Sequence, residues 1–251
     1  MTDLNPVLKI SNLSHRFSSG TLAIDNINLQ IHLNDFLIIS GPNGSGKSVL
    51  MKHLNGLLKP TSGEVTLSGE NIQKNLQKTR QEIGLVFQDA DSQIVGQTVE
   101  RDTAFGPENL RLKREEINRR VDRALTDVDL LHKRKERPHI LSGGEKRRLA
   151  IGGVLAMDSN ILIFDEPFSN LDYPGVKNVL QQIITLHKKG HTIIIITHDL
   201  GKVLAHGNKL VIMNKGKILH CGSPKDLLCH LEDCGIKRPD EESIEKMTWL
   251  K

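Results

Sequence analysis

The chain has 251 residues, of which 37% are hydrophobic and 25% charged, and its formal net charge is +4. Its mild charge and 3% aromatic content give no basic, aromatic surface of the kind that nucleic-acid binding needs, so we expect no nucleic-acid partner. The length fits one domain or one domain with a lobe. No apolar run approaches the roughly 20 residues that span a bilayer, and we predict a cytoplasmic protein without a transmembrane segment.

The N-terminal part of the chain predicts a layer of antiparallel strands. Segments 8–17 and 63–67 are β-rich or alternating, with turn residues nearby. Between them, the buried strand Phe36–Ser40 is predicted to enter a more central sheet.

A phosphate-binding loop follows this central strand and precedes a helical stretch, 49–55. Its glycines let backbone N–H groups turn toward phosphates, and the N-terminus of the next helix adds partial positive charge. We expect Lys47 to reach the β- and γ-phosphates of a nucleoside triphosphate and Ser48 to bind magnesium. The loop consists of Gly41, Pro42, Asn43, Gly44, Ser45, Gly46, Lys47 and Ser48.

The pattern changes to helix between residues 89 and 160. Apolar residues from Ile117 to Leu131 recur at three- and four-residue intervals, which is typical of an amphipathic helix. We predict a helical subdomain, about 89–160, inserted into an α/β core. Within it, Ser142-Gly143-Gly144-Glu145 opens another helix, whose N-terminus can bind an anion or can be an ordinary cap.

Two later strands end in polar residues that can do chemistry. Asp165 and Glu166 follow the apolar run 161–164, and His198 follows 192–197. Because ligands of parallel sheets lie at the carboxyl ends of the strands, we expect these side chains to share one site. Asp165 fits a magnesium ligand, and Glu166 a base for the attacking water. Solvated acids and a structural histidine are the alternatives, which the upstream phosphate loop disfavours.

The C-terminal part of the sequence predicts a helical appendage, 226–251, after a main domain that comprises 1–225. All three cysteines, Cys221, Cys229 and Cys234, lie in or just before this segment. Because they are odd in number and confined to one end of the chain, they cannot form a disulfide framework for the whole fold. Histidines flank two of them, but the short spacing of metal-binding pairs is missing.

The segment Leu141–Ala150, with the sequence Leu-Ser-Gly-Gly-Glu-Lys-Arg-Arg-Leu-Ala, closely resembles the signature of ABC-type ATPases, and the other motifs follow in that family's order. The resemblance implies a P-loop α/β core with a mainly parallel sheet, an antiparallel β layer and an inserted helical subdomain. It also implies an enzyme that hydrolyses ATP with Mg²⁺. By the family pattern, Phe17 stacks on adenine, Gln88 links the magnesium and water site to a membrane partner, and Asp172 lies in the loop that crosses a dimer interface.

The resemblance further implies that two ATPase subunits, identical or related, associate head to tail around two ATP molecules. The signature residues of one subunit then face the γ-phosphate that Lys47 of the other holds, and magnesium is bound by Ser48, Gln88 and Asp165. Glu145 replaces the commonest glutamine, which removes no residue of assigned role. The signature residues that act in trans are Ser142, Gly143, Gly144 and Glu145.

Segments 84–88, 98–100 and 104–110 resemble the ATPases of energy-coupling-factor and cobalt-type importers. That resemblance implies a peripheral subunit on the cytoplasmic face of the membrane, docked on a transmembrane coupling protein through a groove beside Gln88. A separate membrane component would bind the substrate, a vitamin or a transition-metal ion. The alternatives are an exporter ATPase and a soluble ABC ATPase without a transport role.

Overall fold

Ten strands and seven α-helices form the described part of the chain, residues 5–241 and 243–250. The structure is a computed structural model. Residues 1–4, 242 and 251 fall within the predicted domain ranges but lie outside the described residues. The elements in chain order are β1 (Leu8–Arg16), β2 (Leu22–Ile31), β3 (Phe36–Ser40), α1 (Lys47–Leu54), β4 (Ser62–Leu67), β5 (Glu70–Asn71), α2 (Leu76–Glu82), β6 (Ile83–Val86), α3 (Val99–Asn109), α4 (Arg114–Asp127), α5 (Gly143–Ala156), β7 (Ile161–Asp165), α6 (Tyr173–Lys188), β8 (Thr192–Ile196), β9 (Lys209–Asn214), β10 (Lys217–Gly222) and α7 (Pro224–Leu227).

A six-stranded sheet in the order β10-β9-β3-β8-β7-β6 forms the centre of the fold. Its strands pair in parallel except for β10, which lies antiparallel at the edge. Strands β3 and β8 are buried at every position because both faces of the sheet are covered. The predicted strands are therefore confirmed, and parallel pairing brings the carboxyl ends of β3, β8 and β7 to one edge.

The predicted antiparallel layer is also present, as a four-stranded sheet in the order β2-β1-β4-β5. Residues alternate along β3: Leu37 and Ile39 pack with the antiparallel sheet and α1, whereas Phe36 and Ile38 pack with the helices on the opposite face. Helix α1 buries Leu50 in the first of these two cores. The phosphate loop that precedes α1 is thus held between two sheets.

Helices α3, α4 and α5 pack against one another in the middle of the chain. The predicted helical periodicity corresponds to α4, which buries Ile117, Val121, Ala124 and Leu125. None of the helices in the described residues is long and apolar enough to cross a membrane. The limits of the helical subdomain, about 89–160, remain a prediction.

After β10 the chain forms the short helix α7 and isolated 3₁₀ turns, with less α-helix than the predicted helical appendage implies. Leu231, Cys234, Ile236 and Met247 are nevertheless buried in the same core as the parallel sheet and α6. The segment is therefore packed onto the core, and the proposed division at residue 225 remains a prediction. All three cysteines are free.

Candidate nucleotide-binding site

The loop between β3 and α1 curls around the ammonium group of Lys47. This group donates hydrogen bonds to the carbonyl oxygens of Gly41 at 2.6 Å and Pro42 at 3.0 Å. Burial lowers the pKa of Lys47, while the charges of Glu166 and Asp165 favour its protonated form. The loop therefore presents one cation at the N-terminus of a helix, where partial positive charge already favours an anion.

Glycine is required in this loop at Gly46, the residue before α1. Its φ of 100° lies in the left-handed region, and a Cβ there would lie 2.9 Å from the carbonyl oxygen of Ala23. Any side chain would push the loop away from β2. The close approach therefore holds the start of α1 against β2.

The two acids at the end of β7 have different surroundings. Burial raises the pKa of Asp165, the adjacent charge of Glu166 raises it further, and Lys47 opposes both effects. Glu166 adopts a φ of 44°, and its carboxylate accepts hydrogen bonds from Thr197 Oγ1 at 3.0 Å and from the backbone N–H of His198 at 3.1 Å. The His198 Nδ1 lies 2.7 Å from Glu166 Oε1. A nearby cation would relieve the repulsion between the charges of Asp165 and Glu166. The hydrogen bonds to Glu166 also fix the orientation of its carboxylate.

One cavity of about 630 Å³ joins these groups. The structure thus gathers most of the predicted site at the carboxyl edge of the parallel sheet, while Gly41 and Pro42 do not line the cavity and instead accept hydrogen bonds from Lys47. The lining includes Phe17, Asn43, Gly44, Ser45, Gly46, Lys47, Ser48, Gln88, Asp165, Glu166 and His198.

The cavity suits a magnesium nucleotide. Phe17, at its rim, exposes 42% of its surface, as a base-stacking ring requires. The same cavity offers a serine hydroxyl, an amide and a carboxylate, from Ser48, Gln88 and Asp165. These are hard oxygen donors, and Mg²⁺ usually takes only one or two protein carboxylates when it also binds phosphates.

The predicted signature residues do not line the cavity of their own chain. Ser142 caps α5 by accepting a hydrogen bond from the Glu145 N–H at 3.3 Å, and the Glu145 carboxylate accepts from the Ser142 N–H at 2.9 Å. A hydrogen bond from Lys133 and the Ser142 N–H lower the pKa of Glu145 to about 2. Glu145 therefore completes a capping box, and its charge is paired with Lys133 at 2.8 Å.

Asp172 also lies outside this cavity. Its carboxylate caps α6 by accepting a hydrogen bond from the Gly175 N–H at 2.9 Å. The loop before α6 and the start of α5 are close, since a Cβ on Gly143 would lie 3.5 Å from Leu171. The two predicted interface motifs therefore form one surface, separate from the nucleotide cavity of the same chain.

Sequence reasoning missed one buried residue of this region, Arg147. Its guanidinium donates hydrogen bonds to the carbonyl oxygens of Phe87 and, at 2.5 Å, of Gln88. The side chain is 3% exposed, and burial lowers its pKa. Three consecutive cationic residues, 146–148, could have indicated it, because successive helical residues point about 100° apart and these three are spread over about 200° of the helix circumference.

A protein-family model described as "ABC transporter" matches residues 24–169. The energy-coupling factor transporter ATP-binding protein EcfA of Methanococcus maripaludis is 42% identical over 229 residues, covering 90% of this chain and 82% of that protein. The structure of cbiO1 from Clostridium perfringens, part of the ABC transporter complex cbiONQ, superposes with a TM-score of 0.83 at 38% identity, covering 91% of this chain and 93% of that chain. A dimeric bacterial ABC transporter cassette, MJ0796, has a TM-score of 0.76 at 28% identity and covers 86% of this chain and 98% of its own.

Proposed function

We propose how this chain, which belongs to the ABC transporter family, hydrolyses ATP to energise import. Its relatives include the ATP-binding protein of an energy-coupling factor transporter. The chain is an ATPase coupled to transport. The observation that carries the proposed mechanism is the single cavity that joins Lys47, Asp165, Glu166 and His198 at the ends of neighbouring strands.

The phosphates bind in the loop before α1. There the ammonium group of Lys47 exchanges its hydrogen bonds to the carbonyl oxygens of Gly41 and Pro42 for hydrogen bonds to the β- and γ-phosphate oxygens. Ser48, Gln88 and Asp165 would hold Mg²⁺, which would supply positive charge beside the phosphate oxygens. Glu166 accepts a proton from the attacking water. His198, at 2.7 Å from Glu166, orients that carboxylate and lies beside the γ-phosphate.

A second ATPase subunit completes each site. The N-terminus of α5 is capped and exposed at Ser142 and Gly143, yet it does not face its own phosphate loop. A helix N-terminus of this kind favours an anion, and the γ-phosphate of the opposite subunit supplies one. The similar cassette solved as a dimer supports a pairing of this kind, either with an identical copy or with a related ATPase.

A groove beside Gln88 supports docking on a transmembrane coupling protein. Its volume is about 300 Å³, and it runs between the start of β6, α3 and α5. Val95 and Phe105 in its lining expose 62% and 53% of their surfaces, an apolar patch that a partner would cover. In this arrangement the chain is peripheral on the cytoplasmic face, and a separate membrane component binds the substrate, a vitamin or a transition-metal ion.

Co-purification from membranes tests this assignment. We expect the wild-type chain to hydrolyse Mg-ATP and to retain a membrane protein, and the Phe105→Asp variant to lose that partner while keeping the ATPase activity of the isolated chain. Leu219→Asp is the matched control, because Leu219 is 47% exposed on β10, outside the groove. A wild-type chain without ATPase activity, or equal partner retention by Phe105→Asp, would overturn the assignment.

A further inference from the structure

A series of ring contacts runs from the rim of the nucleotide cavity into the core. The rings of Phe17 and His15 meet edge to face, with centroids 5.1 Å apart and planes at 82°. His15 in turn meets His53, with centroids 4.8 Å apart and planes at 62°. Phe17 is exposed at the cavity rim, whereas His53 is 0% exposed.

These contacts connect the two halves of the nucleotide site. Helix α1 begins at Lys47, in the phosphate-binding loop, and His53 lies in its last turn. His15 lies near the end of β1, and Phe17 directly follows that strand. Helix α1 therefore contributes Lys47 to the phosphate loop at its first turn and His53 to the ring contacts at its last turn. Through His15, His53 supports the ring of Phe17.

Histidine is a costly choice for these two positions if packing is its only role. Among the described residues, the Nδ1 of His15 has no hydrogen-bond partner, and the buried ring of His53 has only a contact with the backbone of Leu58 that falls short of good hydrogen-bond geometry. Burying an unpaired polar atom costs free energy that a phenyl ring would avoid. Burial, together with the neighbouring His15, lowers the pKa of His53 to about 4, against the opposing effect of the Leu58 backbone. His53 is consequently neutral near pH 7 and meets its neighbour as an aromatic ring.

We propose that His15 and His53 are positioning residues for adenine recognition, which fix the ring of Phe17 at the angle at which it stacks on the base and tie it to α1. The inference rests on the proposed function, in which Phe17 meets adenine. Neither histidine lines the cavity, so both act through Phe17. An edge-to-face contact restricts the tilt of each ring, and a misaligned ring loses part of its stacking contact with the base.

Binding of two ligands by the full-length chain separates base recognition from phosphate binding. Calorimetry with Mg-ATP and with Mg-tripolyphosphate, which lacks a base, gives the ratio of the two affinities. We expect His15→Ala to weaken ATP binding about 3- to 10-fold and to leave tripolyphosphate binding unchanged. The KM for ATP should rise with little change in kcat, and His15→Phe, which keeps a ring, should restore the ATP affinity.

A double-mutant comparison identifies the route of the effect. Phe17→Ala should weaken ATP binding by more than His15→Ala does, and the double variant should bind ATP no more weakly than Phe17→Ala alone. His53→Phe keeps a ring and should retain the ATP preference, whereas His53→Ala should lose it. His206→Ala is the control for general destabilisation, because His206 is half-buried and hydrogen-bonded to Thr248 at 2.7 Å, away from the cavity.

The outcomes distinguish this inference from the proposed function. A wild-type chain that binds neither ligand contradicts the proposed function itself. The inference is wrong if the wild type binds both ligands but His15→Ala lowers the affinity for both equally. It is also wrong if the losses of ATP affinity from His15→Ala and Phe17→Ala add, because the histidines then do not act through Phe17.

Discussion

The Nδ1 atom of His198 lies 2.7 Å from the Oε1 atom of Glu166, and the backbone N–H of His198 donates to the same oxygen at 3.1 Å. The contact joins the ends of the neighbouring parallel strands β7 and β8. Thr197 Oγ1 donates to the other carboxylate oxygen at 3.0 Å, so Glu166 is held from two sides. A base must be oriented toward the proton that it removes, and this geometry provides the orientation.

Replacing Glu166 with glutamine keeps the shape of this side chain and removes its basicity. We expect Glu166→Gln to lower the ATP hydrolysis rate roughly 10²- to 10⁴-fold while ATP binding persists and a closed dimer accumulates. Phosphate release, calorimetry and size-exclusion chromatography with ATP measure the three effects. The control is Asp199→Asn, whose carboxylate pairs with Lys202 at 2.7 Å and lies outside the nucleotide cavity. A hydrolysis rate equal to that of the wild type would refute the assignment.

Removing the cation from the phosphate loop should weaken nucleotide binding itself. Lys47→Ala eliminates the ammonium group that contacts the carbonyl oxygens of Gly41 and Pro42, and we expect at least about tenfold weaker ATP binding in calorimetry. Lys52→Ala removes an exposed lysine from the same helix and should bind ATP as the wild type does. Retained affinity in the Lys47 variant would contradict the proposed cradle.

The buried hydrogen bond between Arg147 and the backbone of Gln88 predicts that replacing Arg147 lowers both the stability of the fold and the rate of ATP hydrolysis. Arg147→Met fills much of the same volume but leaves the carbonyl oxygens of Phe87 and Gln88 without their donor. We expect a loss of unfolding free energy on the order of 2–4 kcal/mol, because two buried carbonyl oxygens lose their donor. We also expect a lower kcat, because the backbone of Gln88, which lines the nucleotide cavity, is no longer held. Urea unfolding and steady-state kinetics measure both.

The neighbouring Lys146 supplies the control for this substitution. It pairs with Asp91 near the surface at 2.6 Å, so Lys146→Met should cost less than about 1 kcal/mol. Equal stability losses for the two methionine variants would show that the buried hydrogen bonds of Arg147 contribute nothing specific.

The buried His53 predicts a dependence of stability on pH. Burial lowers its pKa in the folded state from 6.5 to about 4, so the fold favours the neutral ring. The contribution is complete above the unfolded pKa of 6.5 and is lost as the pH falls through the folded pKa. Between pH 7 and pH 4, the wild type should therefore lose more unfolding free energy than His53→Phe. Ionisable groups that do not contact residue 53 contribute equally in both proteins and cancel in this difference, and parallel curves would contradict the prediction.

The parts of the fold and site that follow from local sequence could be predicted. The strand Phe36–Ser40, its phosphate loop and α1 are contiguous, and the buried run before Asp165 and Glu166 predicts both the strand and the position of the acids. Contacts between distant segments could not be predicted in this way. The pairing of β9 with β3 and the burial of the C-terminal turns depend on tertiary packing.

The same distinction applies to single residues. Glu166 and His198 were expected at one edge, but their direct contact depends on the left-handed backbone of Glu166. Nothing in the local sequence distinguishes His53 from its neighbours in α1, and only the tertiary fold brings its ring into contact with the ring of His15. The resemblance to ABC-type ATPases was confirmed by the matching family model and by the similar solved structures.

Complementation between two inactive chains tests most directly whether each site is shared by two subunits. Lys47→Ala disables the phosphate loop, and Ser142→Asp keeps an N-cap residue on α5 while placing a carboxylate opposite the γ-phosphate. Each variant alone should be nearly inactive, whereas an equal mixture forms heterodimers with one intact site. For independent sites the mixture should regain up to about one quarter of wild-type turnover. Full activity of Ser142→Asp alone, or two inactive variants whose mixture regains no activity, would show that each subunit contains its complete site.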